Sequence, residues 1–432
     1  MAYNLLRGAI FLGAMALVLT SCQKISTVFE PQNPREAYVK GVRQSPLANN
    51  ATVRQWLATG DSVLNDPVPM NIPSQTKVVY FSDEANAWAW QFSMKEGRTF
   101  RAHMARSDTS HQVFMDLFGI ENGEKSLEQS AENSLISYTL DEDQTLILRL
   151  QPELLITGSA TITIIDNPSM EFPVSGGIRA DIGSFWGDPR DGGRRRHKGV
   201  DIFANRGTPV LASAEGRVTR TGNGGLGGKT VWMRANGKAL YYAHLDSINT
   251  YMGAGVDVGD TLGFVGNTGN ARTTPPHLHF GIYDRGAVNP LPFIDFANDR
   301  VEPITADPSP FQKWARISTP KANVRPLPST QKEPIASLSR NNPVQVTGGT
   351  GEWYQVQLPA GIKGFIFQSL VEPAASSLQD ISFKSEDYLF KDFTDFQPIL
   401  TVDSEGETTI YARYENRDLI RYKNKWMWIE NR

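Results

Sequence analysis

Short runs of β-branched and aromatic residues, each closed by a turn, restrict this chain more than any other feature. Lys77-Val78-Val79-Tyr80-Phe81 is one such run. Ala87 to Phe92, Val113 to Phe118, Thr145 to Leu150 and Ala160 to Ile165 are others. Such side chains fit a pleated, half-buried surface, and Gly, Pro, Asn and Asp end it. With 37 glycines and 26 prolines in 432 residues, long stripes of helical period are scarce. The expectation is a mainly β, multidomain chain, and the length implies two to four domains. One helical piece is expected around Thr52 to Leu64, where Val53, Trp56, Leu57 and Leu64 recur at near-helical spacing. A net charge of −3 predicts no general affinity for nucleic acid.

The beginning reads as an export signal. Arg7 precedes an apolar stretch from Ala9 to Leu19, too short for a membrane span of about 20 residues. Leu19-Thr20-Ser21-Cys22 resembles the lipobox of bacterial lipoproteins, which implies removal of 1–21, a lipid on Cys22 and a membrane-anchored place in the cell envelope. Gln23 after the cysteine resembles outer-membrane lipoproteins. Cys22 is the single cysteine, so it has no disulfide partner in the chain.

The expected organisation follows the pattern shifts. A tether and short helical segment occupy 22–74, and a β-sandwich-like domain 75–171. The stretch WAWQFSMKEGRTF resembles sandwiches found beside secreted peptidases. A core carrying the chemistry spans 172–297, and a Pro-rich acidic linker 298–314. Residues 315–373 run NVR, PVQV, GEWYQVQ, GFI, an order that resembles the bacterial SH3-like barrel. A short β tail covers 374–432.

Four of the six histidines, at 197, 244, 277 and 279, fall in the 172–297 core. His277 and His279 share one face if Pro276 to Phe280 is a strand. Catalytic zinc usually takes three protein ligands and keeps one position open. His197 and Asp201 lie four apart, but Gly199 and the following Val-Asp-Ile-Phe favour extended chain, in which four residues span roughly 13 Å. The chain is therefore expected to bend near His197, with Gly199 permitting it. The third ligand then comes from His277 or His279, and spacing does not choose between them. His103 and His111 have no Asp or His partner at a ligand-like spacing and read as surface or packing residues.

HKGVDI, GTPVLASAEGRV, YYAHL, GDTLGFVGNTGN and HLHFGIY come in that order and resemble the lysostaphin/LytM-type (M23) zinc peptidases. The resemblance implies an antiparallel β core and zinc held by His197, Asp201 and His279. It implies His244 and His277 as unliganded catalytic histidines. Here Pro276 replaces the usual glycine before HLH, which alters the entry loop and no ligand.

The implied function is a lipid-anchored zinc endopeptidase that cuts peptide cross-links of bacterial peptidoglycan. Its partners are then wall peptide stems and a membrane, with neither nucleotide nor nucleic acid. The alternative is a non-catalytic regulator or wall-binding lipoprotein on the same fold. Arg194 and Arg195 beside His197 are candidates for a stem carboxylate. The glycine run from Gly222 to Thr230 contains a GxGxxG spacing, but Val231-Trp232-Met233 after it is strand-like, which favours a hairpin tip over a phosphate loop.

Overall fold

The structure, a computed structural model, describes residues 33–296, 300–384, 386–402 and 406–431. The leader and Cys22 lie outside the described residues, and so do positions 297–299. The chain divides into two units at Leu57/Ala58.

In the first unit, Asn33 caps the helix Pro34–Gln44 by accepting from the backbone N–H of Arg35 (2.8 Å) and Glu36 (3.3 Å). Pro34 suits the first turn, where no donor is needed. This helix was not expected, because 23–35 is polar and only the later segment carries an apolar stripe. The expected helical piece is the helix Ala51–Ser62, followed by a 3₁₀ turn at Val63–Asn65. Tyr38 packs on Trp56 with ring centroids 5.5 Å apart. Among the described residues no helix is long and apolar enough to cross a membrane.

The second unit is built almost wholly of sheets. Trp88–Met94, Gln144–Pro152, Val113–Glu121 and Glu124–Ser130 form one antiparallel layer, with Val68–Pro69 added at its edge. Ser74–Tyr80, Gly158–Pro168, Arg98–Arg106 and Leu135–Thr139 form the facing layer. Every second residue from Ser74 to Tyr80 is buried, as a one-sided strand requires. Tyr80, Phe92, Phe100, Leu117, Leu148 and Ile162 meet in the shared core.

The facing layer does not stop at the sandwich. Lys77 pairs with Gly349, so the sheet continues through Pro343–Thr350 and Trp353–Gln357 to Lys363–Phe367. A Cβ on Gly348 would lie 2.9 Å from the Lys77 carbonyl oxygen, so the close approach needs glycine. The indoles of Trp88 and Trp90 donate to the Thr347 carbonyl and the Gln355 side-chain oxygen, both at 2.9 Å. Phe365 is fully buried in the sandwich core, which contributes roughly 1.5–3 kcal/mol. The barrel segment thus shares a sheet and a core with the sandwich instead of following it as a separate bead. The C-terminal β segment folds as a six-stranded sheet, and its Trp428 packs edge-on against Trp314 at 5.6 Å.

An eight-stranded sheet lies between these parts in sequence. We label its strands β1 (Ile182–Ser184), β2 (Val200–Phe203), β3 (Gly216–Asn223), β4 (Lys229–Ala235), β5 (Lys238–Leu245), β6 (Gly255–Val256), β7 (His277–Tyr283) and β8 (Ala287–Val288). Their spatial order is β1-β2-β7-β5-β4-β3-β6, with β8 on β7. β7 lies near the middle, and its Leu278, Phe280 and Ile282 face a core with Val200, Ile202, Leu240 and Tyr242. Its odd-numbered residues therefore face the other way. The sandwich holds this sheet through Arg98, whose guanidinium binds Asp166 (2.8 Å) and the carbonyls of Pro292 and Asp295 (3.3 and 2.6 Å). Glu96 adds an ion pair to Lys238 at 2.7 Å.

Candidate metal centre

β2 and β7 run antiparallel with Asp201 opposite His279 and Phe203 opposite His277. Directly opposed residues project on the same face. The register therefore seats the Asp201 carboxylate against His279, with Oδ1 2.9 Å from Nδ1. His277 instead stacks beside the Phe203 ring, centroids 5.2 Å apart. The register thus brings His279, and not His277, onto the Asp201 carboxylate.

His197 reaches the same point from a hairpin. Pro189–Arg190 pairs with Arg195–Arg196, and the His197 N–H bonds the Asp188 carbonyl at 2.9 Å. Its Nδ1 lies 2.9 Å from the Phe185 carbonyl oxygen, which can only accept, so Nδ1 carries the proton. Nε2 is then the lone-pair atom, 3.0 Å from His279 Nδ1 and 3.1 Å from Asp201 Oδ1. The ligand atoms of His197, Asp201 and His279 all lie within 4.8 Å of one another. Two imidazole nitrogens and one carboxylate oxygen fit a catalytic zinc that keeps an open position.

Gly199 matters here, but not through a bend in its own backbone. Its φ is not in the left-handed region; instead a Cβ there would sit 2.5 Å from the Phe280 carbonyl oxygen and 2.7 Å from His279 Cε1. The expected turn is made by the hairpin before His197, and Gly199 clears space for β7.

His244 sits at a bulge in β5, where Lys229 pairs with Leu245 and Val231 with Tyr242. Its φ is +65°, rare for a residue with a Cβ. The bulge turns its ring toward His277 and His279, with centroids 5.1 and 6.0 Å away. Three backbone contacts hold it there. The His244 N–H donates to Gly227 (2.8 Å), Nδ1 meets the Thr268 carbonyl (2.9 Å), and the Thr268 N–H meets the His244 carbonyl (3.3 Å). Gly227 belongs to the glycine run, which is the β3–β4 hairpin tip as expected. His277 Nδ1 meets the Pro275 carbonyl at 2.9 Å. Both rings therefore carry the proton on Nδ1 and keep a lone pair on Nε2.

The electrostatics separate the groups. Burial pushes His244 down to about 4, so its imidazole is neutral at pH 7. Burial also lowers His279, against the pull of Asp201. Burial alone would raise Asp201, but the His197 and His279 imidazoles against it outweigh that and hold the carboxylate far below its usual range.

Arg190 was not singled out in the sequence. Its guanidinium donates to Asp201 Oδ2 at 2.6 Å and to the Ser184 hydroxyl at 2.8 Å. With Oδ2 occupied, Oδ1 is the oxygen directed at the histidines. Arg194 and Arg195 are exposed and turn to Asp191 instead, through its carbonyl (3.1 Å) and its carboxylate (2.5 Å). A single arginine between Pro189 and Asp191 carries no signal that distinguishes it, so only the hairpin pairing could reveal Arg190. Beyond His279 on the same face, Tyr241, Trp232 and Tyr283 form an aromatic floor, with Tyr241 5.8 Å from the His279 ring and 4.3 Å from Trp232.

Residues 195–290 match the family model described as peptidase family M23, and 320–372 match the bacterial SH3 domain. Across 99 residues the chain is 44% identical to the DD-carboxypeptidase/endopeptidase Mpg of Neisseria meningitidis, covering 22% of each protein. It is 39% identical over 130 residues to the L-Ala--D-Glu endopeptidase of Bacillus subtilis, covering 28% of this chain and 39% of that protein. It is 35% identical over 137 residues to lysostaphin of Staphylococcus simulans, covering 31% of this chain and 25% of that protein. The chain thus spans less than half the length of these relatives. The solved catalytic domain of lysostaphin from Staphylococcus simulans is 34% identical, with 26% of this chain and 89% of that one covered and a TM-score of 0.24.

Proposed function

We propose that this chain is a zinc metalloendopeptidase of the cell envelope that hydrolyses peptide cross-links of peptidoglycan, anchored by a lipid on Cys22. One observation carries the reading. His197 Nε2, His279 Nδ1 and Asp201 Oδ1 converge beside two more imidazoles, each oriented by a carbonyl, within the segment that matches family M23. The relatives named above as endopeptidases support a peptide bond as the target. The lipid anchor and the domain division 22–74, 75–171, 172–297, 298–314, 315–373 and 374–432 rest on the sequence pattern.

Zinc held by His197, Asp201 and His279 would acidify a water and polarise the scissile carbonyl. The chain's own residues manage the protons and the charge. His244 is neutral at pH 7 and presents Nε2, so it accepts a proton as a general base and returns it to the leaving amine. His277, fixed through Nδ1, keeps its Nε2 lone pair beside the site, where it accepts a hydrogen bond from the attacking water and orients it. Arg190 holds the outer oxygen of Asp201 and keeps the carboxylate from rotating away. The aromatic floor suits the apolar faces of a peptide stem.

The test is mass spectrometry of fragments released from purified peptidoglycan by the mature chain. Zinc-dependent release of peptide fragments, lost with a chelator, is expected. A chain that holds zinc and binds the wall but releases nothing would favour the non-catalytic reading. Replacing Cys22 with Ser should move the protein from the membrane to the soluble fraction.

A further inference from the structure

A cavity of about 490 Å³ opens between the sandwich and the barrel, away from the histidines. Such a volume lies in the range of about 300–1,000 Å³ typical of ligand sites. Its walls are rich in side-chain amides: Asn86, Gln312, Gln345, Gln355 and Gln357. Two of these are committed to the fold. Asn86 donates to the carbonyls of Phe81 and Glu84 at 3.0 Å, and Gln355 accepts from the Trp90 indole at 2.9 Å. The side-chain amides of Gln312, Gln345 and Gln357 have no protein partner among the described residues. Gln312 is also held at φ +57°, with its N–H on the Val346 carbonyl at 2.6 Å. A non-glycine residue fixed in that region costs free energy, and such positions cluster at functional sites.

Each free carboxamide offers one acceptor oxygen and two N–H donors. Three of them along one cavity match a ligand that alternates C=O and N–H, which is a peptide backbone. Charge narrows the class further. Lys363 is already neutralised, since its Nζ lies 2.9 Å from Asp66 Oδ2. Glu84, at the rim, has no cationic partner among the described residues. A glycan of N-acetylated sugars brings no positive charge to meet it, whereas a peptide with a free amine does.

We infer that this cavity binds a short peptide carrying a free amine, of the kind an uncross-linked wall stem with a diamino acid presents. The choice of a wall stem rests on the peptidoglycan reading above; the peptide chemistry does not. Holding a stem here raises the effective concentration of neighbouring stems at the histidines through a second point of attachment.

Calorimetry tests it on the full mature chain with its zinc chelated, so that nothing is cut. The probe is a synthetic stem tripeptide ending in a free side-chain amine. Its counterparts are the same peptide acetylated on that amine and a tetramer of N-acetylglucosamine. The amine peptide should bind, and acetylation should weaken it at least tenfold. Gln345→Ala with Gln357→Ala should weaken it similarly, and Glu84→Gln should erase the preference for the free amine. Circular dichroism and the thermal midpoint check that the variants fold. Failure of the peptide to bind, equal binding to the double variant, or binding of the sugar tetramer alone would overturn the inference. Wall hydrolysis is scored separately: peptide binding without hydrolysis refutes the proposed enzyme and leaves this site, and the reverse leaves the enzyme alone.

Discussion

Among the described residues, His111 and His279 both lie against acidic side chains, and only His279 belongs to a group that could hold a metal ion. His111 lies 3.4 Å from Glu153 and 3.7 Å from Asp108 on the sandwich surface. His279 lies 2.9 Å from Asp201 in the M23-like sheet. Distance hardly separates the two. Burial does: the side chains of His111 and Asp108 are 44% and 50% exposed and Glu153 is 21% exposed, whereas His279 and Asp201 are 15% and 11% exposed. Orientation separates them further. Asp201 has its second oxygen held by Arg190, and His197 has its Nδ1 held by Phe185. A surface pair pays side-chain entropy and is screened by solvent, so it is worth little. A buried set in which the outer oxygen of Asp201 and the outer nitrogen of His197 are already bonded is held ready for an ion. The exposed placement of His111 agrees with its reading as a surface residue, and its neighbour Asp108 is equally open.

The comparison can be broken most directly at the ligands. Asp201→Ala or His279→Ala should lower zinc in the purified protein from about one equivalent to nearly none, while Asp108→Ala leaves it unchanged; metal analysis decides. Zinc retained in both site variants would remove the distinction. A smaller but still large effect is expected at the two flanking imidazoles. His244→Ala or His277→Ala should keep the zinc and lose roughly 10²–10⁴-fold in turnover of a defined peptide. Arg190→Ala should weaken zinc affinity by about 10–100-fold in a competition titration. An unchanged affinity would mean that Asp201 needs no outer partner.

Stability offers two further contrasts. Gly199→Ala must push a methyl group against the Phe280 carbonyl, so chemical denaturation should show a loss of about 1–3 kcal/mol. Replacing the exposed His111 with Ala should change stability by less than about 0.5 kcal/mol. The mildest contrast concerns pH. His244 has a folded pKa of about 4, below the unfolded value of 6.5. Above pH 6.5 both states are neutral there, and nothing is lost. As pH falls toward 4 the unfolded state takes up a proton that the folded state refuses, so the zinc-free fold should lose on the order of 2 kcal/mol. His244→Asn should flatten that slope between pH 6.5 and 4. A slope unaltered in the variant would assign the loss to other groups.

Much of the architecture could be read in advance from local pattern. Runs such as Ala160 to Ile165 alternate because one face is buried, and the structure places them in the facing layer of the sandwich. The β3–β4 hairpin followed from Gly-rich residues set between strand-like runs. The helix at Pro34–Gln44 escaped because its sequence is largely polar and its start rests on a cap by Asn33. The joining of sandwich and barrel escaped for a different reason. Lys77 and Gly349 pair across a separation that no local pattern encodes, and Trp88 reads as a core residue whether or not its indole finds Thr347.

At the candidate site the division is sharper. Residue chemistry and order along the chain determined the inventory: four histidines in the 172–297 segment, Asp201 four residues after the first of them, and His277 and His279 on one strand face. Which of the two joins His197 and Asp201 was decided by tertiary structure. Side chains repeat every two residues along β7, so both histidines are equivalent until a partner strand breaks the symmetry. β2 does so by setting Asp201 opposite His279 and Phe203 opposite His277. The same holds for Arg190, one of several neighbouring arginines until a hairpin turns it, and not Arg194 or Arg195, onto the carboxylate.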